Sequence, residues 1–313
     1  MAERFFHKII KEICSEKDIR MKVLSFGMII KLKKDDKIRY IIQNCFGFNN
    51  STADRLASDK YSLFEVLESE GISVIKHYML FNPVSRAGFM DEVMLSNTIS
   101  KFIDEYGAIA IVKSNTGREG VSVYKCIGEN EIYDTAYNLF KTNSSISLCP
   151  YYDIKEEYRV VYLDGKCELI YSKERPAVIG NGLLSVAELY LKQKENLSPY
   201  ITMDKIIDID LSYVPKKDEK VYLTWKHNLC NGAIPLIVED NKLKKKIQEF
   251  ATLVAKKINI DFAAIDIIED KEGNLSVLEV NSGLGLTIFT KHVQNGYEIT
   301  KSIYSKAIDK LFE

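Results

Sequence analysis

The stretch that most constrains this chain lies near its end. Ala264-Ile265-Asp266-Ile267-Ile268 and Val277-Leu278-Glu279-Val280-Asn281 are two apolar runs flanking the polar segment Glu269-Asp270-Lys271-Glu272-Gly273-Asn274. Apolar runs separated by a short glycine-containing turn predict two antiparallel strands. If Asp270 to Gly273 forms the loop, Glu269 faces Asn274, Asp266 faces Val277 and Ala264 faces Glu279. Side chains alternate faces along a strand, so Asp266, Glu279 and Asn281 then share one face. Asp266 and Glu279 become diagonal neighbours roughly 7–8 Å apart. Two carboxylates and an amide oxygen among apolar neighbours are hard ligands suited to Mg²⁺. The same pattern also suits an ordinary hairpin with solvated acids, and a slip of one residue would send Asp266 to the other face.

The chain has 313 residues, 46% of them hydrophobic, which is long enough for two or three lobes around separate cores. Lysine and arginine number 43 against 44 acids. This balance gives no support to nucleic acid or an anionic membrane as the main partner. The six cysteines (Cys14, Cys45, Cys126, Cys149, Cys167, Cys230) are scattered and form no C-x-x-C pair. They read as thiols of a reducing, cytoplasmic compartment. Met1-Ala2-Glu3-Arg4 opens no secretory signal, and no run of about 18 apolar residues predicts a membrane span.

Periodicity predicts alternating strands and helices: strands over Met21–Ile30 and Ile38–Ile42, a helix over Ser51–Glu70, and a short strand at Ile72–Ile75. Phe81-Asn82-Pro83 breaks the pattern and suggests a lobe boundary. Next come a helix over Ser96–Tyr106, strands at Ala108–Val112 and Val121–Cys126, a helix over Glu129–Leu139 and a strand at Ile146–Cys149. A hairpin follows around Asp164-Gly165, then amphipathic helices over Asn241–Ile258 and Gly296–Phe312. The expected division is 1–82, 83–150 and 151–313.

A second chemical segment runs from Ile109 to Val123. A buried strand delivers Lys113, and the loop Ser114-Asn115-Thr116-Gly117-Arg118-Glu119-Gly120 follows it. Glycines at Gly117 and Gly120 let backbone N–H groups approach phosphate oxygens, and Lys113 would add a compact cation. The loop lacks the Gly-Lys-Ser/Thr of a P-loop, and no G-x-G-x-x-G follows a strand. A plain hairpin with a glycine turn has the same pattern. Three further segments bring cations and amides from separate regions: Arg159 in Glu157-Tyr158-Arg159-Val160, Arg175 before Pro176, and Lys226 with Asn228 in Trp225-Lys226-His227-Asn228.

In this order the segments resemble the ATP-grasp superfamily of carboxylate–amine ligases, from about Ser58 to the end. The cyanophycin synthetase and bifunctional glutathione synthetase branch shares the Arg175-Pro176…Gly180-Asn181-Gly182 segment and the Ser185-Val186-Ala187-Glu188-Leu189 that follows. The chain is also similar to spore-coat-associated ATP-grasp proteins of bacteria. The resemblance implies an α/β (α+β) ATP-grasp fold, with the nucleotide held between two lobes and a small N-terminal domain beside them. It implies ATP and one or two Mg²⁺ ions, with Mn²⁺ as a substitute. Lys60 and Lys113 would meet phosphate under a lid at Ser114–Gly120, and Pro150, Tyr151 and Tyr152 would form the adenine hinge. Glu157 would bind ribose, and Asp266, Glu279 and Asn281 the metal. Arg175, Asn228, Lys226 and Arg159 would act at the reacting centre.

The reaction implied is amide or peptide bond formation from a small carboxylate and an amine, amino acids or a peptide among the candidates, through an acyl phosphate. A small-molecule kinase and a non-catalytic nucleotide-binding protein of a coat are the alternatives, and a homodimer stays open. Two departures stand out. Cys149 occupies the hinge position where the family has Glu or Gln, and the spacing also allows Glu156 as the ribose ligand. The segment Leu183–Tyr222 departs most from the family and is expected to cover the site or shape the substrate pocket.

Overall fold

The computed structural model describes residues 4–117 and 122–313. Helix α1 (Phe5–Glu16) buries Ile9, Ile10 and Ile13 on one stripe and leads into a three-stranded meander, β1 (Arg20–Leu24), β2 (Ile29–Lys34) and β3 (Lys37–Ile42). The single strand expected over Met21–Ile30 is two strands. Ser25, Phe26 and Gly27 all take positive φ (49°, 54° and 89°), which reverses the chain. Alternation points Ile30, Leu32 and Ile41 inward, where they join α1 and the C-terminal helix in one core.

The outer face of this meander carries Lys22 directly opposite Lys31 and Arg20 directly opposite Lys33, with Tyr40 and Ile42 alongside. Like charges facing each other across strands are destabilising. Lys31→Glu is expected to stabilise the protein by about 0.5–1 kcal/mol, raising Tm by about 1–3 °C in a thermal melt. An unchanged or lower Tm would show that the two lysines do not oppose each other.

The helix expected over Ser51–Glu70 is likewise two, α2 (Ser51–Ser58) and α3 (Lys60–Ser69). Asp59 between them is extended, and its carboxylate accepts from the Ser62 N–H, so it caps α3 and cannot continue α2. Strand β4 (Tyr78–Phe81) then enters a four-stranded antiparallel sheet with β5 (Ile109–Ser114), β6 (Val123–Ile127) and β7 (Ser145–Pro150), in the order β4-β7-β5-β6. This sheet therefore begins before the break at Asn82-Pro83. Helices α4 (Glu92–Tyr106) and α5 (Glu129–Phe140) close its core through Leu95, Ile99, Phe102, Ile132 and Ala136.

The largest sheet contains β8 (Glu156–Leu163), β9 (Lys166–Glu174), β12 (Ile234–Ile237), β13 (Phe262–Glu269) and β14 (Leu275–Asn281), in the order β12-β9-β8-β13-β14. Strand β13 is buried along its whole length. On one face, Val160, Ile265, Ile267 and Val277 pack against α7 (Asn241–Lys257) and against Ala53, Leu63 and Leu67 of α2 and α3. The opposite face is divided. Val161, Leu163, Phe262 and Ala264 are covered by the core that holds α1 and α9 (Gly296–Phe312), while Glu157, Arg159 and Asp266 share the other end of it. A short pair, β10 (Ala177–Ile179) and β11 (Lys220–Tyr222), brackets helix α6 (Val186–Gln193) and has its own small core around Val178, Leu189, Ile201 and Leu223. Helix α8 (Thr287–His292) precedes α9. No helix among the described residues is long and apolar enough to cross a membrane.

The 262–281 hairpin forms as expected, with a different register. Glu269 pairs with Leu275, not Asn274, and a bulge between Asp266 and Ile267 sets Asp266 directly opposite Glu279 instead of Val277. Ala264 consequently faces Asn281, not Glu279. Ile267 pairs with Val277, leaving Leu278 as the extra residue of the bulge. The bulge absorbs the shift, so Asp266, Glu279 and Asn281 still share a face.

Candidate active site

The four-stranded and five-stranded sheets enclose a cavity of about 590 Å³, within the range of small-ligand and cofactor sites. One end is apolar. Ile75, Ile111, Cys149 and Ile268 pack there with Tyr151, Trp225 and Leu278, and Pro150 and Tyr152 line the same wall. The Tyr151 ring meets Trp225 edge-on at 5.9 Å and carries the Lys125 ammonium 4.4 Å from its centroid. The Cys149 thiol is turned to the Ile111 carbonyl, and burial raises its pKa. It packs as a small apolar group at the position where an acid or amide was the family expectation.

The middle of the cavity is cationic on one wall. Lys113 comes from β5 and is 6% exposed. Lys60, in the first turn of α3, donates to the carbonyls of Gly117 (2.6 Å) and Asn115 (3.4 Å). The Tyr61 N–H donates to the Asn115 side chain at 3.1 Å, so the start of α3 grips the glycine loop. Burial lowers the Lys60 pKa, opposed by the Glu279 charge. Ser114 borders the cavity, but its hydroxyl bonds Asn143 at 2.9 Å. Gly120 lies outside the described residues.

The facing wall is the acidic and basic face of the large sheet. Asn281 donates its amide to Glu279 Oε1 at 3.1 Å, which leaves the Asn281 carbonyl oxygen and the second Glu279 oxygen as hard donors at the cavity edge. These two fit a divalent cation. Asp266 is differently placed. It is 1% exposed and does not border the cavity. Arg159 holds both its oxygens, Nε to Oδ1 at 2.7 Å and Nη2 to Oδ2 at 2.6 Å, and Lys173 Nζ lies 3.0 Å from Oδ2. Burial would raise the Asp266 pKa, but these two cations outweigh it and hold the carboxyl well below the usual range. Among the described residues no group of three or more His, Cys, Asp or Glu is placed to hold a metal. An ion at Glu279 and Asn281 would need further ligands from a bound phosphate.

Of the two candidate ribose acids, Glu157 borders the cavity and Glu156 does not. Glu157 bonds Lys173 at 2.5 Å, and burial pushes its carboxyl up to about 7 against that lysine's pull. Sequence reasoning missed Lys173. Its signal was its position two residues after Tyr171 in β9, whose pairing with Arg159 puts Lys173 on the face that the other charged groups use.

The rest of the lining is built from separate segments. The Arg175 guanidinium stacks on the Tyr222 ring at 3.9 Å. Lys226 donates to the Val123 carbonyl at 3.0 Å, and burial lowers its pKa. Asn228 uses its side-chain oxygen to accept the Cys230 N–H at 2.7 Å, which leaves its amide hydrogens as donors. His227 bonds the Lys173 carbonyl at 2.9 Å, and burial lowers its pKa to about 4, so it is neutral at pH 7. Gln43 and Asn44, at the end of β3, and Thr287 and Ile288 of α8 complete the wall. None of these four carried a sequence signal, because only tertiary folding brings them to the cavity.

Residues 183–222, expected to cover the site or shape the substrate pocket, contribute no residue to the lining itself. They buttress it. Lys205 donates to the Cys230 carbonyl at 2.8 Å, and Asp208 pairs with Lys125 of β6 at 3.1 Å. Gly232, with φ 98°, would place a Cβ 2.6 Å from the Ile201 side chain. Gly232→Ala is expected to destabilise the protein by about 1–3 kcal/mol. Hydrogen exchange should then quicken at the Asn231 and Ala233 amides, which bond the Asn228 carbonyl. Unchanged exchange there would sink the buttress.

Two antiparallel sheets facing each other across a cation-lined cleft define the ATP-grasp fold, and this chain has it. Residues 223–305 match the RimK-like ATP-grasp domain. The cyanophycin synthetase of Trichormus variabilis is 24% identical over 309 residues, covering 88% of this chain and 32% of that protein. The glutathione biosynthesis bifunctional protein GshAB of Listeria welshimeri is 23% identical, covering 91% of this chain and 38% of that protein. The chain thus spans about a third of the length of these curated relatives. Among solved structures, a bifunctional glutathione synthetase from Pasteurella multocida superposes with a TM-score of 0.56 at 15% identity, over 96% of this chain and 44% of that one. A D-alanine–D-alanine ligase from Bacillus anthracis gives 0.55 at 18% identity, over 84% of this chain and 69% of that one.

Proposed function

We propose that this protein is an ATP-dependent carboxylate–amine ligase that releases ADP and phosphate. The observation that carries the reading is one continuous cavity lined by the apolar cluster around Ile111, Cys149 and Ile268, by Lys60 and Lys113 with Glu279 and Asn281, and by Arg175, Lys226 and Asn228. The relatives, a cyanophycin synthetase and a bifunctional protein of glutathione biosynthesis, point the same way. Adenine sits against the apolar cluster beside Pro150, Tyr151 and Tyr152, with Glu157 toward the ribose. Lys60 and Lys113 hold the phosphates, and a divalent ion at Glu279 and Asn281 supplies charge neutralisation to them when bound.

A substrate carboxylate oxygen attacks the γ-phosphorus and the bond to ADP breaks, giving an acyl phosphate. An amine nitrogen then attacks the acyl carbon, the C–O bond to phosphate breaks, and an amide remains. Arg175 and Asn228 donate to the oxygens that gain charge in these steps, with Lys226 as a further cation. Arg159 acts through Asp266, which it orients. Amino acids or peptides suit a far wall built of Gln43, Asn44 and Asn228 amides, and a reducing, cytoplasmic setting suits the scattered cysteines.

The test is phosphate release with ATP, Mg²⁺ and paired amino acids, with hydroxylamine replacing the amine in parallel. ADP and phosphate should appear only with both substrates present, and hydroxamate should form when hydroxylamine stands in. A stable phosphorylated product without amide would instead identify a kinase.

A further inference from the structure

Four charged groups share the largely buried charged end of one face of the large sheet. Glu157 and Arg159 come from β8, Lys173 from β9 and Asp266 from β13. Strand alternation and the pairing of Asp266 with Arg159 put them in one array. Within it the charges cancel. Arg159 takes both Asp266 oxygens, and Lys173, 4% exposed, bridges Asp266 at 3.0 Å and Glu157 at 2.5 Å. Glu279, directly opposite Asp266, has no ion pair with any lysine or arginine among the described residues, and its bond is from the neutral Asn281 amide.

The three oxygen-bearing residues of this hairpin are therefore not equivalent. A divalent ion needs carboxylate oxygens at about 2.0–2.1 Å with lone pairs to give. Asp266 has both oxygens committed to two buried cations, and an ion placed there would also face their repulsion at short range. Glu279 and Asn281 carry neither burden. Lys173, unlike Asp266, borders the cavity. Its ammonium stands between the candidate ribose acid and the hairpin, along the wall that faces Lys60 and Lys113.

We propose that Lys173 is a built-in cation of the nucleotide site. With Arg159 it withdraws Asp266 from metal binding, so that one divalent ion is held through Glu279 and Asn281, and its ammonium brings to the triphosphate the charge a second ion would supply. This rests on the ATP reading above. A lysine is suited to the task as a compact point charge with three donors, so that two can stay on Asp266 and Glu157 while the third serves phosphate.

Ion stoichiometry tests it without turnover. Mn²⁺ is titrated into the protein with saturating adenylyl imidodiphosphate, and free Mn²⁺ is followed by electron paramagnetic resonance. One Mn²⁺ per protein–nucleotide complex is expected for the wild type. Lys173→Met leaves both Asp266 oxygens on Arg159, so one Mn²⁺ should still bind, with nucleotide affinity at least tenfold weaker. Lys173→Arg keeps the cation and should keep the affinity. Two Mn²⁺ ions on the wild type would overturn the inference by itself, whether or not the variants fold. Titration calorimetry showing no nucleotide binding with Mn²⁺ would instead overturn the ATP reading on which it stands.

Discussion

Glu279→Gln is expected to cut ADP and phosphate formation by about 10²–10³-fold, the scale seen when a fixed electrostatic contact to a reacting group is removed. The fold should hold. Glu279 has no ion-pair partner among the described residues, so no buried cation loses its counter-charge. Its one bond, from the Asn281 amide at 3.1 Å, can be accepted equally by a glutamine oxygen. A thermal melt without nucleotide should therefore stay within about 2 °C of the wild type, less than 1 kcal/mol on the scale for a chain of this size. Mn²⁺ binding in the presence of nucleotide should weaken with turnover. Wild-type phosphate release in this variant would return the 262–281 hairpin to a purely structural role. The contrasting substitution, Asp266→Asn, removes the counter-charge of buried Arg159 and Lys173, and its first effect is on stability.

Arg175→Ala should lower amide formation by about 10²-fold while ATP affinity changes less than threefold. Arg175 lines the cavity while stacked on Tyr222, and Lys226 and Asn228 belong to the same lining. In its proposed role Arg175 donates to charge that develops during the reaction, so its loss appears in kcat. Arg175→Lys should recover only part of the rate, since a lysine keeps the charge and loses the planar fork and the stack. Amide yield by mass spectrometry and nucleotide affinity by calorimetry separate the two effects. An equal loss in both would place Arg175 on the nucleotide.

The fold was legible wherever local patterning and tertiary packing ask for the same thing. The 262–281 hairpin, the strand that carries Lys113 and the amphipathic α7 have strong periods and clear turn residues, and each forms within a few residues of expectation. The failures occur where one residue's conformation interrupts a continuous pattern. Phe26 at φ 54° splits the first strand, and Asp59, as an N-cap, splits the helix before Lys60. Apolar spacing runs on through both points, so hydrophobicity alone could not mark them.

By itself the sequence determined which residues of one strand alternate onto a common face, Glu279 with Asn281 and Glu157 with Arg159. That follows from the period of two in a strand and needs no distant contact. Only the tertiary structure decided what those faces meet. The bulge at Leu278 brings Asp266 opposite Glu279, and the pairing of β8 with β13 lays Arg159 across Asp266. The neighbouring β9 delivers Lys173 between Asp266 and Glu157. Folding of the N-terminal meander carries Gln43 and Asn44 to a cavity wall shared with Asn228 and Thr287. Ion pairs and pocket walls join residues from 16 to more than 100 positions apart, and their strength depends on burial and on which oxygen is already taken. Neither is written in the spacing of any one segment.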